Sequence, residues 1–243
     1  MSNLQLALSY LRSRLFITFL TVTSVALGLA LATIVYTLSR QTQDMLNTGT
    51  AGVDFVVGAK GSPLQLVLNS IYYLDAPTGV IDVAAWHTLQ QNPEVESAIP
   101  LTLGDNYYGY PIVGTVPAFF DGHSALNGKN LLASGRLFNT QFEVVIGAQV
   151  AAQFHLTLHS KPIVGAHGWG KYDDLHTMFP YTIVGVLSPT GSNLDRAVYT
   201  DYHSIWAIHA HPDADEKPQP GAPDPTKEVS AVLVQLHLSL IHI

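Results

Sequence analysis

Residues Leu15–Leu38, LFITFLTVTSVALGLALATIVYTL, form an apolar run that decides how the rest of the chain is placed. The run contains no charged residue, proline, asparagine or glutamine. As an α-helix rising about 1.5 Å per residue it is about 36 Å long, and the hydrocarbon core of a bilayer is about 30 Å thick. The run therefore predicts a transmembrane helix at residues 15–38.

Two other interpretations of the apolar run are less favourable. A cleaved signal peptide has an apolar core of about 7–15 residues, which is shorter than this run, although Ala30-Leu31-Ala32 resembles a cleavage site. The core helix of a soluble protein normally carries charged residues on its outer face, and this run has none. An anchor that stays attached to the chain accounts best for the composition.

Basic residues flank the run unequally, because Arg12 and Arg14 precede it and Arg40 follows it. Since cytoplasmic flanks carry the excess of Lys and Arg, residues 1–14 are expected in the cytoplasm and residues 39–237 outside it. Apolar residues at helical spacing within residues 1–14 predict an amphipathic segment. That segment either lies along the cytoplasmic membrane surface or continues the spanning helix.

The composition of the 243 residues excludes several classes of function. Charged residues make up 12% of the chain, whereas a soluble domain carries about 25%. The net charge is -7 and the sequence has no cluster of basic residues, so we expect no nucleic-acid partner. Cysteine is absent, which excludes disulfides, thiol catalysis and cysteine metal sites.

Residues 39–237 mix strand and helix signals without a strict alternating repeat. This arrangement predicts an α+β domain rather than a doubly wound α/β fold. The predicted strands are short, apolar segments bounded by turn residues. They are Val53–Val57, Val95–Leu103, Tyr107–Val116, Glu143–Ile146, Lys161–Gly165, Tyr181–Leu187 and Val229–Leu236.

The segment GAKGS, residues 58–62, opens like a phosphate-binding loop but does not match one. Such a loop requires G-x-x-x-x-G-K-[ST], and here Lys60 precedes the second glycine. Ser62 instead fits a helix N-cap, with Pro63 at the first helical position and Gln65 completing a capping box. The segment therefore predicts a capped helix and not an ATP site. The predicted helices are Ser62–Ile71, Val83–Gln91 and Gly147–Phe154.

Residues 211–228, HPDADEKPQPGAPDPTKE, are rich in proline and acidic residues and predict a flexible loop. His209 and His211, beside the acidic residues of this loop, are weak candidates for zinc ligands, because imidazole and carboxylate groups suit Zn²⁺. A solvated linker without a metal is the simpler interpretation. His155 and His159 lack the H-E-x-x-H motif, so we predict no metal site there.

No arrangement of residues in the sequence predicts catalysis. Asp173, Asp174 and His176 share one loop without a matched partner, and we interpret them as a solvated polar loop. Ser62 lacks the G-x-S-x-G motif of a nucleophilic serine. The aromatic cluster Asn106–Tyr110 is interpreted as a half-exposed strand. We therefore expect that this chain is not an enzyme.

Four stretches of the chain resemble one family of membrane proteins. One stretch, residues 133–156, carries a G-R…E-V-V-I-G…A pattern. Another, residues 181–202, carries a V-G-V-L-x-x-T-G-x-x-x-D-x-x-V pattern. On these residues the chain resembles the N-terminal part of an ABC transporter permease of the MacB/FtsX-like superfamily, with a MacB-like periplasmic core domain. The stretches are LALSYLRSRLFITFLTVTSVALGLAL (6–31), GVDFVVGAKGSPLQLVLNSIYYLDAPTG (52–79), ASGRLFNTQFEVVIGAQVAAQFHL (133–156) and YTIVGVLSPTGSNLDRAVYTDY (181–202).

The resemblance implies a division of labour between subunits. ATP would be bound and hydrolysed by a separate cytoplasmic ABC ATPase, so no cofactor is expected in this chain. A second permease chain, identical or different, would pair with it in the lipid bilayer of the bacterial inner membrane. The external domain would then move with the ATPase cycle, either for transport or for mechanotransmission.

Permeases of this superfamily have four spans and this chain shows one, so the resemblance implies a fragment that stops before the remaining spans. Residues 238–243, LSLIHI, look unlike a natural terminus and are expected to be a non-native end. Two functions of other classes stay open. One is a membrane-anchored extracytoplasmic binding or sensor domain related to zinc, and the other is a membrane-tethered hydrolase.

Overall fold

The chain forms two compact units, Met1–Leu46 and Asn47–Ile243. The first unit holds the apolar helix and the second holds the sheet domain. The computed structural model describes residues 12–49, 52–123, 130–168, 174–210 and 227–237.

The first unit is built on one long helix, α1, Leu15–Gly49. Its part Leu15–Gln41 is long and apolar enough to cross a membrane, with a mean hydropathy of 2.2, and it is not buried against the protein. The hydroxyls of Thr21, Thr33 and Thr37 in the apolar part each donate to a backbone carbonyl four residues earlier in the helix. The three donor–acceptor distances, from Thr21 to Ile17, from Thr33 to Leu29 and from Thr37 to Thr33, are all 2.8 Å.

The second unit is organised around a nine-stranded mixed sheet. Its strands are β1 (Phe55–Gly58), β3 (Val95–Tyr107), β4 (Tyr110–Thr115), β5 (Leu132–Gly135), β6 (Glu143–Ile146), β7 (Ala166–His167), β8 (Thr182–Leu187), β9 (Val198–Asp201) and β11 (Ala231–Leu236). The strand order is β1-β11-β3-β4-β9-β6-β8-β5, and β7 pairs with β3 beside this path. The pairs β4–β9 and β6–β8 are parallel, and the others are antiparallel.

A second, two-stranded antiparallel sheet pairs β2 (Ile81–Asp82) with β10 (Glu228–Val229). Four short helices accompany the sheets: α2 (Pro63–Ser70), α3 (Val83–Gln90), α4 (Ala148–Phe154) and α5 (Tyr202–His209). Two 3-10 helices cover Pro117–His123 and Asn193–Arg196.

Side-chain oxygens cap three of the four short helices at their N-termini. Ser62 accepts from the backbone N–H of Gln65, as the capping box predicts. Asp82 accepts from Ala84 at 2.7 Å, and Asp201 accepts from His203 at 2.8 Å. Each cap satisfies a backbone donor that has no partner inside its helix, so these local signals set where α2, α3 and α5 begin.

Buried aromatic rings fill the main core of the sheet domain. The rings of Phe119 and Tyr199 stack with centroids 5.4 Å apart, and Phe120 meets Tyr199 edge-on at 5.2 Å. A second cluster gathers Ile112, Val144 and other aliphatic side chains around α4 and α5. These clusters hold β4, β6 and β9 together at the centre of the sheet.

The α+β fold class is confirmed, one strand prediction is wrong and another strand is interrupted by a turn. Only Ile163 of Lys161–Gly165 makes a bridge, to Tyr181, because Pro162 has no N–H to donate to a ladder. The cluster Asn106–Tyr110 contains a hairpin turn between β3 and β4, where Tyr108 has a φ of 48° and Gly109 a φ of 83°.

Parts of three further predictions lie outside the described residues. They are residues 1–11 of the N-terminal segment, residues 211–226 of the predicted loop, and residues 238–243. Glu228, the last residue assigned to that loop, is paired in β10.

Candidate metal centre

Asp105 lies in β3 at a point where that strand holds one extra residue. Thr102 pairs with Gly114 of β4, and Asp105 pairs with Ile112, so three steps along β3 match two along β4. A bulge of this kind changes which sheet face the following side chains occupy. On its other side, Asp105 pairs with His167 of β7.

Three histidines reach Asp105 from separate segments. His167 is the last residue of β7 and pairs directly with Asp105. His176 follows in a turn, where its backbone N–H donates to the carbonyl of Gly165 at 2.9 Å. His209 is the last residue of α5, a helix that packs against β3, β4 and β9.

All three imidazoles face the same carboxylate oxygen. Oδ1 of Asp105 lies 3.6 Å from Nδ1 of His167, 3.4 Å from Nε2 of His176 and 3.3 Å from Nε2 of His209. The four candidate ligand atoms lie within 4.8 Å of one another. Across the described ranges, this is the one group of three or more such side chains close enough to hold a metal ion. We call these four residues the His–Asp cluster.

The cluster contains a buried negative charge. The side chain of Asp105 is 0% exposed, and its Oδ2 has no hydrogen-bond partner among the described residues. Burial acts to raise the pKa of Asp105, but hydrogen bonds from His167, His176 and His209 outweigh burial and hold that pKa well below its usual range. The hydrogen bond to Asp105 in turn raises the pKa of His167, although desolvation opposes it.

Two polar residues lie next to the cluster. The Asn106 side chain donates to the carbonyl of Gly168 at 3.0 Å and accepts from Gly109 at 2.8 Å, which fixes the backbone beside His167. Tyr181 is fully buried, and its hydroxyl has no hydrogen-bond partner within the described part of the chain. Burial and the charge of Asp105 raise the pKa of Tyr181, so the hydroxyl stays neutral and available as a donor.

The histidines singled out in the sequence lie in different places in the structure. His209 joins the His–Asp cluster. His211 lies outside the described residues. His155 and His159 are exposed and take no part in the cluster, and His155 ends α4 in a left-handed conformation with a φ of 53°.

The interpretation of His176 as part of a solvated polar loop is wrong. Its side chain is 17% exposed and faces Asp105. Asp174 in the same loop is exposed, and its backbone carbonyl accepts from the N–H of His167. Asp173 lies outside the described residues.

Sequence reasoning missed Asp105 and His167. One signal pointed to Asp105, since it is an acidic residue within the strand-like run that ends at Tyr107, and a buried carboxylate needs partners. The three histidines follow it by 62, 71 and 104 positions, which matches no local metal-binding motif. Only the pairing of β3 with β7 and the packing of α5 bring the four residues together.

Comparison with known proteins identifies the domain. The family model of the MacB-like periplasmic core domain matches residues 18–236. The chain belongs to this family. The match begins inside α1 and extends to the last residue of β11, so the MacB-like periplasmic core domain accounts for nearly all of the described chain.

Solved structures similar to this MacB-like chain include periplasmic and extracellular domains of transporters. The periplasmic region of MacB from Actinobacillus actinomycetemcomitans is 14% identical over 77% of each chain, with a TM-score of 0.43. The extracellular domain of the noncanonic ABC-type transporter YknZ from Gram-positive bacteria is 14% identical over 76% of this chain and 82% of that one, with a TM-score of 0.41. A permease-protein domain from Porphyromonas gingivalis is 17% identical over 65% of this chain and 63% of that one, with a TM-score of 0.38. No curated protein sequence matches the chain.

Membership in the MacB-like family sets the class of the protein. The domain is part of ABC transporter permeases, which work with an ATPase and are generally not enzymes themselves. The periplasmic core domain together with the apolar helix α1 indicates a membrane-anchored protein.

Proposed function

We propose that this chain acts as the permease subunit of a bacterial ABC transporter and couples ATP hydrolysis by a cytoplasmic partner to movement of its extracytoplasmic domain. The observation that carries the proposal is the family match over residues 18–236, which joins the apolar helix and the sheet domain in one unit of homology. Because the family match includes the helix together with the domain, the helix is better explained as a functional part of the protein than as a cleaved signal peptide.

The length of α1 supports a role in transmitting motion. At about 1.5 Å per residue, its 35 residues extend about 52 Å, well beyond a hydrocarbon core of about 30 Å. The helix contains no proline that would kink it. Displacement at the cytoplasmic end of such a rod reaches the part that projects from the membrane.

The flanking charges support the orientation of the chain. Arg12 and Arg14 lie before the apolar run and only Arg40 lies directly after it, so the N-terminus is in the cytoplasm and the sheet domain is outside the inner membrane. Residues 1–14 and 15–38 then serve as the cytoplasmic segment and the span, and residues 39–237 as the external domain.

Pairing with a second permease chain completes the proposal. The face of α1 with Gly28 and Ala32 is exposed and offers small residues four positions apart. Small residues at this spacing allow two helices in a bilayer to approach closely. A second chain packed on this face would let one ATPase cycle move two external domains.

Co-purification with the partner ATPase tests the proposed function. We expect the tagged protein, extracted from membranes in mild detergent, to retain an ABC ATPase. Deletion of residues 1–14 should reduce the recovered ATPase, because this segment carries the proposed cytoplasmic contacts. If the membrane-bound protein retains no ATPase, the proposed coupling to a cytoplasmic ATPase is wrong.

A second candidate function is favoured by the His–Asp cluster. A membrane-anchored binding or sensor domain needs a ligand site outside the membrane and no ATPase. Such a protein would purify from membranes without the ATPase, so the same experiment separates the two functions.

A further inference from the structure

We propose that Asp105, His167, His176 and His209 bind one Zn²⁺ ion through three imidazole nitrogens and one carboxylate oxygen. This inference goes beyond the permease assignment and does not rest on it. It is carried by the distances within the His–Asp cluster, by the burial of Asp105 and by the chemistry of the four side chains.

The three distances from the carboxylate to the imidazoles are those of a tetrahedral coordination shell. With metal–ligand bonds of about 2.0–2.2 Å, neighbouring ligand atoms of a tetrahedron lie about 3.3–3.6 Å apart. The three distances from Oδ1 of Asp105 to the imidazole nitrogens are 3.3, 3.4 and 3.6 Å. All four atoms lie within 4.8 Å of one another, so small rotations of the imidazole rings close the set around one ion.

Hydrogen bonding alone leaves the buried carboxylate poorly satisfied. The contacts from the three imidazoles to Oδ1 are long hydrogen bonds, at 3.6, 3.4 and 3.3 Å, whereas an ordinary N–H···O bond spans about 2.7–3.2 Å. The other oxygen, Oδ2, is buried and has no partner among the described residues. A buried ionised carboxylate without short contacts is costly, and a bound cation removes that cost.

The ligand set selects the metal. Imidazole with one carboxylate suits Zn²⁺, whereas Ca²⁺ and Mg²⁺ prefer shells made of oxygen. A tetrahedral shell also disfavours Cu²⁺, which prefers tetragonal geometry. Four protein ligands fill the tetrahedral shell and leave no position for a reactive water, so the ion is structural or regulatory and not catalytic.

An ion has a route into the site. The carboxylate at its base is 0% exposed, but His167 is 55% exposed and His209 is 25% exposed. The cluster is therefore closed on the side of β3 and open to solvent on the side of these two histidines. This arrangement allows the ion to exchange with the medium outside the membrane.

Zinc at this position would join three separate parts of the domain. Asp105 belongs to the strand β3, His167 and His176 to β7 and the chain that follows it, and His209 to the end of α5. The β7 strand has only two residues, so its attachment to the sheet is weak without further contacts. Binding of zinc is therefore expected to stabilise the domain, because the ion binds the folded cluster and not the unfolded chain.

Metal titration of the full-length protein in detergent tests the proposal. We expect the chelator-treated protein to bind one Zn²⁺ per chain and to show a higher Tm with zinc than without it. Co²⁺ should give the intense visible absorption of a tetrahedral site. His176→Ala and His209→Ala should each weaken zinc binding at least about tenfold, since each removes a ligand.

Two other histidine variants serve as matched controls. His159→Ala removes an exposed histidine outside the cluster, and His211→Ala removes the other histidine singled out beside the acidic loop. Both should bind zinc as the unmodified protein does. The proposal is overturned if the protein binds no zinc, if Co²⁺ gives only the weak spectrum of an octahedral site, or if His211→Ala abolishes binding while His176→Ala does not. The cobalt spectrum of the unmodified protein decides the case should a variant fail to fold.

Discussion

Two carboxylates of this domain, Asp105 and Glu143, depend on neighbouring side chains that stabilise their charge. Asp105 and Glu143 both begin as ordinary acidic residues in strands, and both have their pKa lowered by cationic or donating neighbours. Asp105 meets imidazoles inside the protein, and Glu143 meets a guanidinium at the surface. A buried carboxylate without such neighbours would cost several kcal/mol on folding, so the partners are part of the fold as well as of the site.

Glu143 predicts how stability depends on pH. The hydrogen bond from Arg136, with Nη1 2.8 Å from Oε2, is the main cause that lowers the pKa of Glu143 from 4.5 to about 2. Because the folded state holds this proton less tightly than the unfolded chain does, the pair stabilises the fold above pH 4.5 and loses that effect as the pH falls towards 2. In Glu143→Gln, the free energy of unfolding should therefore fall less steeply as the pH drops from 4.5 towards 2.

The variant Arg136→Met tests the same contribution of the Arg136–Glu143 pair to the pH dependence of stability. It leaves the carboxyl group in place and removes its main partner, so the fall in stability between pH 4.5 and 2 should become shallower. Unfolding in urea at a series of pH values gives the slope for each protein. Equal slopes for the unmodified protein and Glu143→Gln in this window would contradict the assignment.

Tight junctions between elements fix how strands and helices meet. Gly147 joins β6 to α4 and lies against the backbone of the 3-10 helix Asn193–Arg196. A Cβ atom built on Gly147 would lie 2.4 Å from the carbonyl oxygen of Asp195 and 2.5 Å from that of Leu194. Both contacts are with backbone atoms, so rotation of a side chain cannot relieve them.

Gly147→Ala is expected to destabilise the domain by about 1–3 kcal/mol, because the added methyl group must push two backbone segments apart. Gly61→Ala is the matched control, since its new Cβ would meet Thr78 at an ordinary 3.8 Å. That change should fall within about 0.5 kcal/mol of the unmodified protein. Urea midpoints followed by tryptophan fluorescence measure both, and equal midpoints for the two variants would contradict the argument.

Local signals in the sequence located several helices and strands but not the His–Asp cluster. The N-caps Ser62 and Asp82 lie where side-chain chemistry and helical periodicity coincide, so α2 and α3 were predicted to within a few residues. The strand predicted at Lys161–Gly165 is wrong, because Ile163 makes only an isolated bridge to Tyr181 there. The His–Asp cluster depends on one bulge and on contacts far apart in sequence, and no spacing rule reports these.

At the scale of the whole molecule, the exposed side chains of α1 distinguish the two units. Leu27 is 70% exposed, and the other large apolar side chains from Leu15 to Leu38 are exposed as well. On the sheet domain, Leu64 is exposed to a similar extent, 68%, but it has no comparable run of apolar neighbours. A continuous apolar surface of this size is stable in lipid and not in water.

Charge substitution tests that difference. Leu27→Arg with Leu29→Arg should each cost about 2.5–3.5 kcal/mol at the centre of a spanning helix, and together they should release the protein from the membrane fraction or deplete it there. Leu64→Arg adds a charge at an equally exposed position of the sheet domain and should leave the membrane fraction unchanged. Carbonate washing followed by immunoblotting of the pellet measures the distribution. Retention of the double variant at the level of Leu64→Arg would contradict a membrane-spanning α1.

The first and last strands of the sheet lie side by side, and this has a mechanical consequence. Phe55 of β1 pairs with Val234 of β11, and the backbone N–H of Leu236 donates to the Asp54 carboxylate at 2.8 Å. The polypeptide thus enters and leaves the domain at one edge, where the two ends are stapled together. A force that pulls both ends in the same direction moves the domain as one body. A force that pulls the two ends apart breaks the β1–β11 pairing one backbone pair at a time and leaves the core of the domain intact.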